Sequence, residues 1–209
     1  MKKGPALNEV AYQKIKQSIM RGDFAEENVT SQNQLVEELG MSRTPIVAAL
    51  QRLQHEGFLK VVSNQGIIIQ ELSIKEINDF YDARIAIETF SIQKTIDLLT
   101  ENHFNTLFEM IEEQKICCEK QDFFNFAQLD ADFHQYLLEV EGNSLFIQTM
   151  SNIRERLFYN SKCFLIKRQN MMTFIQGHIE IIDALKRKNH HLAVNRLEEH
   201  IKSGKISLV

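Results

Sequence analysis

The sequence predicts a mainly α protein in two parts: three short helices with a β-hairpin, then an antiparallel all-helical bundle of about six helices. Three observations predict it. Apolar residues recur at three- and four-residue spacing through most of the 209 residues. Two β-branched bursts, 58–62 and 67–70, lie side by side with Ser63, Asn64, Gln65 and Gly66 between them. From Ser73 onward no strand pattern appears.

The first helix spans 9–20, where Val10, Ile15, Ile19 and Met20 share a face and Gly22 ends the run. A second, over 31–39, opens on Ser31 as N-cap, buries Leu35, Val36 and Leu39, and stops at Gly40. The third begins almost at once, with Ser42 as cap, Pro45 in the first turn where a missing N–H is harmless, and Ile46, Ala49, Leu50 and Leu53 on one face. It ends at Gly57, and the hairpin follows. Helix, helix, tight turn, helix and hairpin is the layout of a winged helix-turn-helix. A turn joining two core helices has the same local signature, and order and spacing favour the winged layout. Further helices are expected over 73–99, 101–120, 123–139, 144–163, 171–188 and 191–202, with short polar punctuation such as Gly142 with Asn143, and Asn189. The expected boundary places one domain at 1–71 and the other at 72–209, where Ser73 caps the first long helix.

A chain with 25% charged residues, 44% hydrophobic residues and a net charge of −4 excludes disordered and collagen-like classes. The first 71 residues carry eight Lys or Arg against eight Asp or Glu, the rest 16 against 20, so nucleic-acid binding would rest on a few placed cations rather than a basic field. Cys117, Cys118 and Cys163 are odd in number and two are adjacent, which speaks against a secreted disulfide framework. No apolar stretch is long enough for a signal sequence or membrane span, so the expected location is the cytoplasm and no membrane partner is expected.

The segment LVEELGMSRTPIVAALQRLQHEGFLKVVSNQGIII resembles the DNA-binding module of the GntR regulators, and the helical remainder resembles their FadR-type ligand-binding (FCD) domain. The SRTP turn, the spacing of Ala49-Leu50, Arg52-Leu53 and Glu56-Gly57, and the Gly-centred wing carry the resemblance. It implies a homodimeric regulator, with the third helix in the major groove of a double-stranded operator and a helical bundle that binds a small effector. Arg43 at the start of that helix is placed to reach a guanine edge, and Ser42 and Thr44 to donate to phosphates. Arg52 and Arg21 are candidate phosphate contacts, each equally readable as a solvated cation. Gly66 would let the wing backbone approach the minor groove. The sequence departs from the family pattern at Val47, where an Arg is common, and at Gln65, where a basic residue is common.

Asp130 and His134 are four apart on one expected helix and so project from one face. His178 and His200 stand on two later helices among apolar residues at helical spacing, which points them inward. Singly, such a histidine is more often a satisfied core residue than a ligand. Together, one carboxylate and three imidazoles suit zinc, nickel or manganese, or iron. The same four positions match the metal-binding pattern of FCD domains. Open coordination positions would accept a small carboxylate effector, and Arg84, Arg154 and Arg156 are candidates to clamp it bidentately. Ion pairs of these arginines with Glu88, Asp82 or Glu155 are the competing reading.

His55, His103, His190 and His191 read as solvated, and the Met and Phe residues, including Phe123, Phe124 and Phe126, as core. The alternative function is a metal-dependent hydrolase using the Asp/His₃ site. It lacks a general base, an HExxH motif and a marked nucleophile, so a non-enzyme is expected. A structural metal in an interaction module is the third reading.

Overall fold

A computed structural model describes residues 6–24, 28–63, 65–161 and 168–206. Cys163 and Asn64 lie outside the described residues. The chain divides into two compact units at Glu71 and Leu72.

The first unit holds α1 (Leu7–Arg21), β1 (Val29–Thr30), α2 (Gln32–Leu39), α3 (Arg43–His55), β2 (Leu59–Val62) and β3 (Gly66–Ile69). Gly22 and Gly40 close α1 and α2 in the left-handed conformation, at φ 78° and 62°, where a side chain would be strained. Ser31 caps α2 by accepting from Gln34 N at 3.2 Å, whereas Ser42 occupies the cap position of α3 without such a bond. α1 packs its Tyr12, Ile15 and Ile19 against the Ile46, Leu50 and Leu53 face of α3. Phe58 and Ile67 add the sheet side of the same core.

The wing has one strand more than the sequence suggests. β3 pairs antiparallel with β2 (Leu59 opposite Ile69) and also with β1 (Val29 opposite Ile68), giving the order β1-β3-β2. Gly66, at φ 91°, lies where a Cβ would come 2.7 Å from Thr30 O. What this glycine accommodates in the structure is therefore the backbone of β1.

The second unit is wholly helical among the described residues: α4 (Ile74–Leu98), α5 (Glu101–Lys120), α6 (Phe123–Glu141), α7 (Ser144–Ser161), α8 (Arg168–Lys186) and α9 (His190–Ile206). Ser73 starts α4 with a capping box: its Oγ accepts from Glu76 N at 3.2 Å, and Glu76 Oε2 accepts from Ser73 N at 2.8 Å. α4 packs against α6, α7 and α9, while α8 packs against α5 and α9. Ile92, Ile111, Phe133, Met150, Ile182 and Leu197 fill the space between them.

Two sequence expectations fail here. Of the three phenylalanines at the start of α6, only Phe126 is buried; Phe123 and Phe124 are exposed, because a helix turns just one in three or four positions inward. His190 belongs to the first turn of α9 rather than to a turn between helices, though it is exposed as expected. Cys117 and Cys118 are free thiols buried in α5. No helix among the described residues is long and apolar enough to cross a membrane.

Candidate metal centre and DNA-reading helix

The interior of the second unit is unusually rich in polar groups. Asp130 and His134 project together from α6, His178 from α8 and His200 from α9, and one ligand atom of each lies within 4.8 Å of the others. His134 Nε2 is 3.2 Å from His200 Nε2, and His178 Nε2 is 3.4 Å from Asp130 Oδ1. Neighbouring ligand atoms on bonds of about 2.1 Å stand roughly 3.0–3.4 Å apart, so this spacing suits a small divalent ion. His134, His178 and His200 are 1%, 0% and 7% exposed. His178 Nε2 is buried without a hydrogen-bond partner among the described residues, which leaves a polar atom that burial alone would not tolerate.

Surrounding groups hold the rings. Phe133 stacks on His178 with centroids 4.1 Å apart, and Gln114 Oε1 of α5 lies 3.0 Å from His178 Nδ1. Glu88 of α4 places Oε2 2.7 Å from His134 Nδ1. His200 packs against α8 at Gly177, where a Cβ would sit 2.4 Å from its Nδ1.

Electrostatics favour neutral imidazoles. Burial, reinforced by the neighbouring His200, His134 and Arg84, pushes His178 well below its ordinary 6.5, and burial with His134 and Arg84 does the same to His200. Burial alone would raise Glu88, but Arg84, His134 and Arg154 outweigh it and hold this carboxyl well below the ordinary range. As the pH falls below 6.5, the unfolded chain takes up protons that His178 and His200 refuse in the fold, so the metal-free protein should lose stability. Melting of chelator-treated protein from about pH 7.5 to 5.5 tests this, and a melting temperature that His178→Ala leaves equally pH-sensitive would count against it.

The three arginines expected to clamp an effector are placed unequally. Arg84 Nε lies 3.0 Å from Glu88 Oε1, so the ion pair weighed as its competing reading is present. Arg154 donates to Gln135 Oε1 at 2.7 Å and reaches Glu88 Oε1 at 3.4 Å, with its Nε buried and unpartnered among the described residues. Arg156 is half-buried, 4.0 Å from Glu76 and over the Phe80 ring.

In the first unit, Ser42, Arg43 and Thr44 are exposed together at the N-terminus of α3. Arg43 Nη2 donates to Asn33 Oδ1 of α2 at 2.9 Å, which steadies the side chain while leaving its other donors in solvent. Arg52 is engaged differently: it pairs with Glu9 and Glu56 at 2.9 and 3.0 Å and stacks on Tyr12, 3.6 Å from the ring centre. Arg21 is exposed in the last turn of α1.

Glu88, Gln114 and Gly177 are the site residues that sequence reasoning does not single out for the metal. Their signals are slight: an Arg84-Glu88 spacing of one turn, and a lone glycine inside a helical run.

A winged helix-turn-helix joined to a helical bundle with a central histidine cluster defines a DNA-binding transcription regulator. Comparison with known proteins gives the family. Residues 7–69 match the bacterial regulatory proteins of the gntR family and residues 79–203 match the FCD domain, so the chain belongs to the GntR family of transcription regulators. It is 24% identical over 190 residues to the uncharacterized HTH-type transcriptional regulator YdhC of Bacillus subtilis, covering 90% of this chain and 85% of that one. It is also 24% identical over 196 residues to the gluconate operon transcriptional repressor of the same organism, covering 91% and 80%. The solved structure of Escherichia coli McbR/YncC shares the fold, with a TM-score of 0.83 at 20% identity over 98% of both chains. The matched families and relatives are regulators, and the hydrolase alternative is not supported.

Proposed function

We propose that this regulator is a cytoplasmic homodimer in which residues 1–71 read a double-stranded operator and residues 72–209 sense a small carboxylate. Asp130, His134, His178 and His200 would hold a divalent ion, with zinc, nickel or manganese best suited to nitrogen and oxygen donors in this mixture. When bound, the ion supplies a positive centre with open positions for a carboxylate oxygen. Arg84, Arg154 and Arg156 are the candidates to grip the rest of the anion. Ser42, Arg43 and Thr44 would contact DNA, with Arg21, Arg52 and the Gly66 wing as accessory contacts.

The observation that carries the reading is the convergence of three buried imidazoles from three helices on one carboxylate. A relative named for a gluconate operon is consistent with an organic-acid effector. Effector binding changes operator affinity only if the anion prefers one of two conformations of the bundle, and the coupling is then reciprocal.

Adding zinc at about 100 times its Kd to metal-stripped protein should stabilise it by about 2.7 kcal/mol, raising the melting temperature by about 5–10 °C. The variant carrying His134→Ala and His178→Ala should lose that shift and purify without metal. An unchanged metal content in the variant, by elemental analysis, would place the ion elsewhere. Small carboxylates screened against the zinc-loaded protein would then show a further shift if the effector reading holds.

A further inference from the structure

Glu88 stands outside the four residues that face one another, yet it is 3% exposed and surrounded by charge. Its two oxygens divide their partners. Oε2 lies 2.7 Å from His134 Nδ1, while Oε1 lies 3.0 Å from Arg84 Nε and 3.4 Å from Arg154 Nη2. The 2.7 Å approach to Glu88 is a close charge contact rather than an in-line hydrogen bond, and His134 Nδ1 has no hydrogen-bond partner among the described residues. We infer that Glu88 is a positioning residue that locks His134 in the one tautomer whose Nε2 lone pair faces the metal centre. The inference rests on the metal-binding reading above and adds to it the residue that prepares a ligand.

Donors and acceptors decide the tautomer. Glu88 Oε1 accepts from Arg84 Nε at 3.0 Å, with Arg154 Nη2 3.4 Å away, and a carboxylate held between two guanidinium groups offers its other oxygen as an acceptor too. With Glu88 Oε2 only 2.7 Å away, a proton on Nδ1 is attracted and a lone pair there is repelled, so the Nδ1-protonated form is favoured even though the contact is not in line. A neutral imidazole has a single N–H, so a proton on Nδ1 leaves Nε2 bare. Nε2 is the atom that stands 3.2 Å from His200 Nε2, inside the cluster. A carboxylate that orients a ligating histidine in this way also raises its basicity toward the ion.

The other two rings lack such a lock. The partner of His178 Nδ1 is the amide of Gln114, which can present oxygen or nitrogen by turning over, and so fits either tautomer. His200 has no hydrogen-bond partner for Nδ1 among the described residues and rests on Gly177 instead. Among the three, His134 alone has a carboxylate on the nitrogen turned away from the cluster.

The test uses the full chain, first without metal and then with zinc. Nitrogen-15 NMR of the imidazoles should show His134 protonated at Nδ1 and bare at Nε2 in the wild type, and both tautomers in E88Q, whose amide donates or accepts. Zinc affinity, read by competition with a chromophoric chelator, should fall about 10–100-fold in E88Q. E88D keeps the charge but draws it back by one methylene, and should weaken zinc in the same direction; it also carries the comparison should E88Q fail to fold. A wild-type His134 with its proton on Nε2 overturns the inference, as do E88Q and E88D proteins that bind zinc within about twofold of the wild type. A wild type that takes up no zinc at all would refute the metal reading instead, and the tautomer measurement, which needs no metal, would still decide the role of Glu88.

Discussion

Arg43→Ala is expected to weaken binding to a selected operator fragment by about 5–150-fold, the ~1–3 kcal/mol of one bidentate base contact, and to relax sequence preference at the position it contacts. The geometry behind this is local. Arg43 is the first residue of α3, exposed, next to the exposed hydroxyls of Ser42 and Thr44 and over the positive end of the helix. Its hydrogen bond to Asn33 Oδ1 is exposed, so truncation leaves no buried group unpaired and should move the melting temperature by no more than an ordinary surface change, within about 0.5 kcal/mol. Salt titration separates the two ways in which an arginine can serve. If Arg43 touches a base, its truncation leaves the slope of affinity against salt nearly intact; if it touches a phosphate, the truncation removes about one unit from that slope. Full retention of affinity and sequence preference in the variant would mean that another element reads the operator.

Arg52 differs from Arg43 in a way that only the fold reveals. In sequence the two arginines look alike, each on the same short helix of a chain with few cations. In the fold, Arg52 is held by Glu9, Glu56 and the Tyr12 ring, tying α1 to α3, and it has less freedom to leave them for a phosphate. A freely solvated cation does not describe it, because it ties α1 to α3.

Helices and their ends are legible in the sequence because their causes are local: a 3.6-residue apolar stripe, a serine cap, a glycine with positive φ. Strand β1 is not, because two residues carry no alternation and its pairing partner lies about forty positions along the chain. The Asp/His cluster is legible for a similar reason. Asp130 and His134 share a helix face by spacing alone, and His178 and His200 sit within apolar stripes whose direction the helix period fixes. The groups that hold those rings are hidden, since Glu88 in a long helix and Gln114 beside other polar residues look solvated until the packing of α4 on α6 and of α5 on α8 brings them against imidazoles.

Gly177→Ala is expected to weaken zinc binding strongly by the addition of a single methyl group. An isolated glycine inside a helix normally costs about 0.5–1 kcal/mol relative to alanine, so α8 should gain from the change on propensity alone. Here a Cβ would lie 2.4 Å from His200 Nδ1, closer than the atoms can approach, and tight against Cγ at 3.3 Å. The backbone of α8 is fixed by its packing on α5 and α9, so the imidazole is what must move. Turning it withdraws Nε2 from its place 3.2 Å from His134, and a four-residue site becomes a three-residue one. Zinc affinity should then fall by at least the ~10–100-fold that follows from disturbing an outer partner of a ligand. The strain of overpacking, about 1–3 kcal/mol, is partly offset by the helix gain, so the variant should stay folded and melt only a few degrees lower. Gly204→Ala is the matched control on α9: its Cβ would meet the Tyr81 ring edge, with the hydroxyl nearest at 3.2 Å, and zinc binding should be unchanged. Equal zinc affinity in the Gly177 variant and the wild type would show that His200 does not contribute to the site.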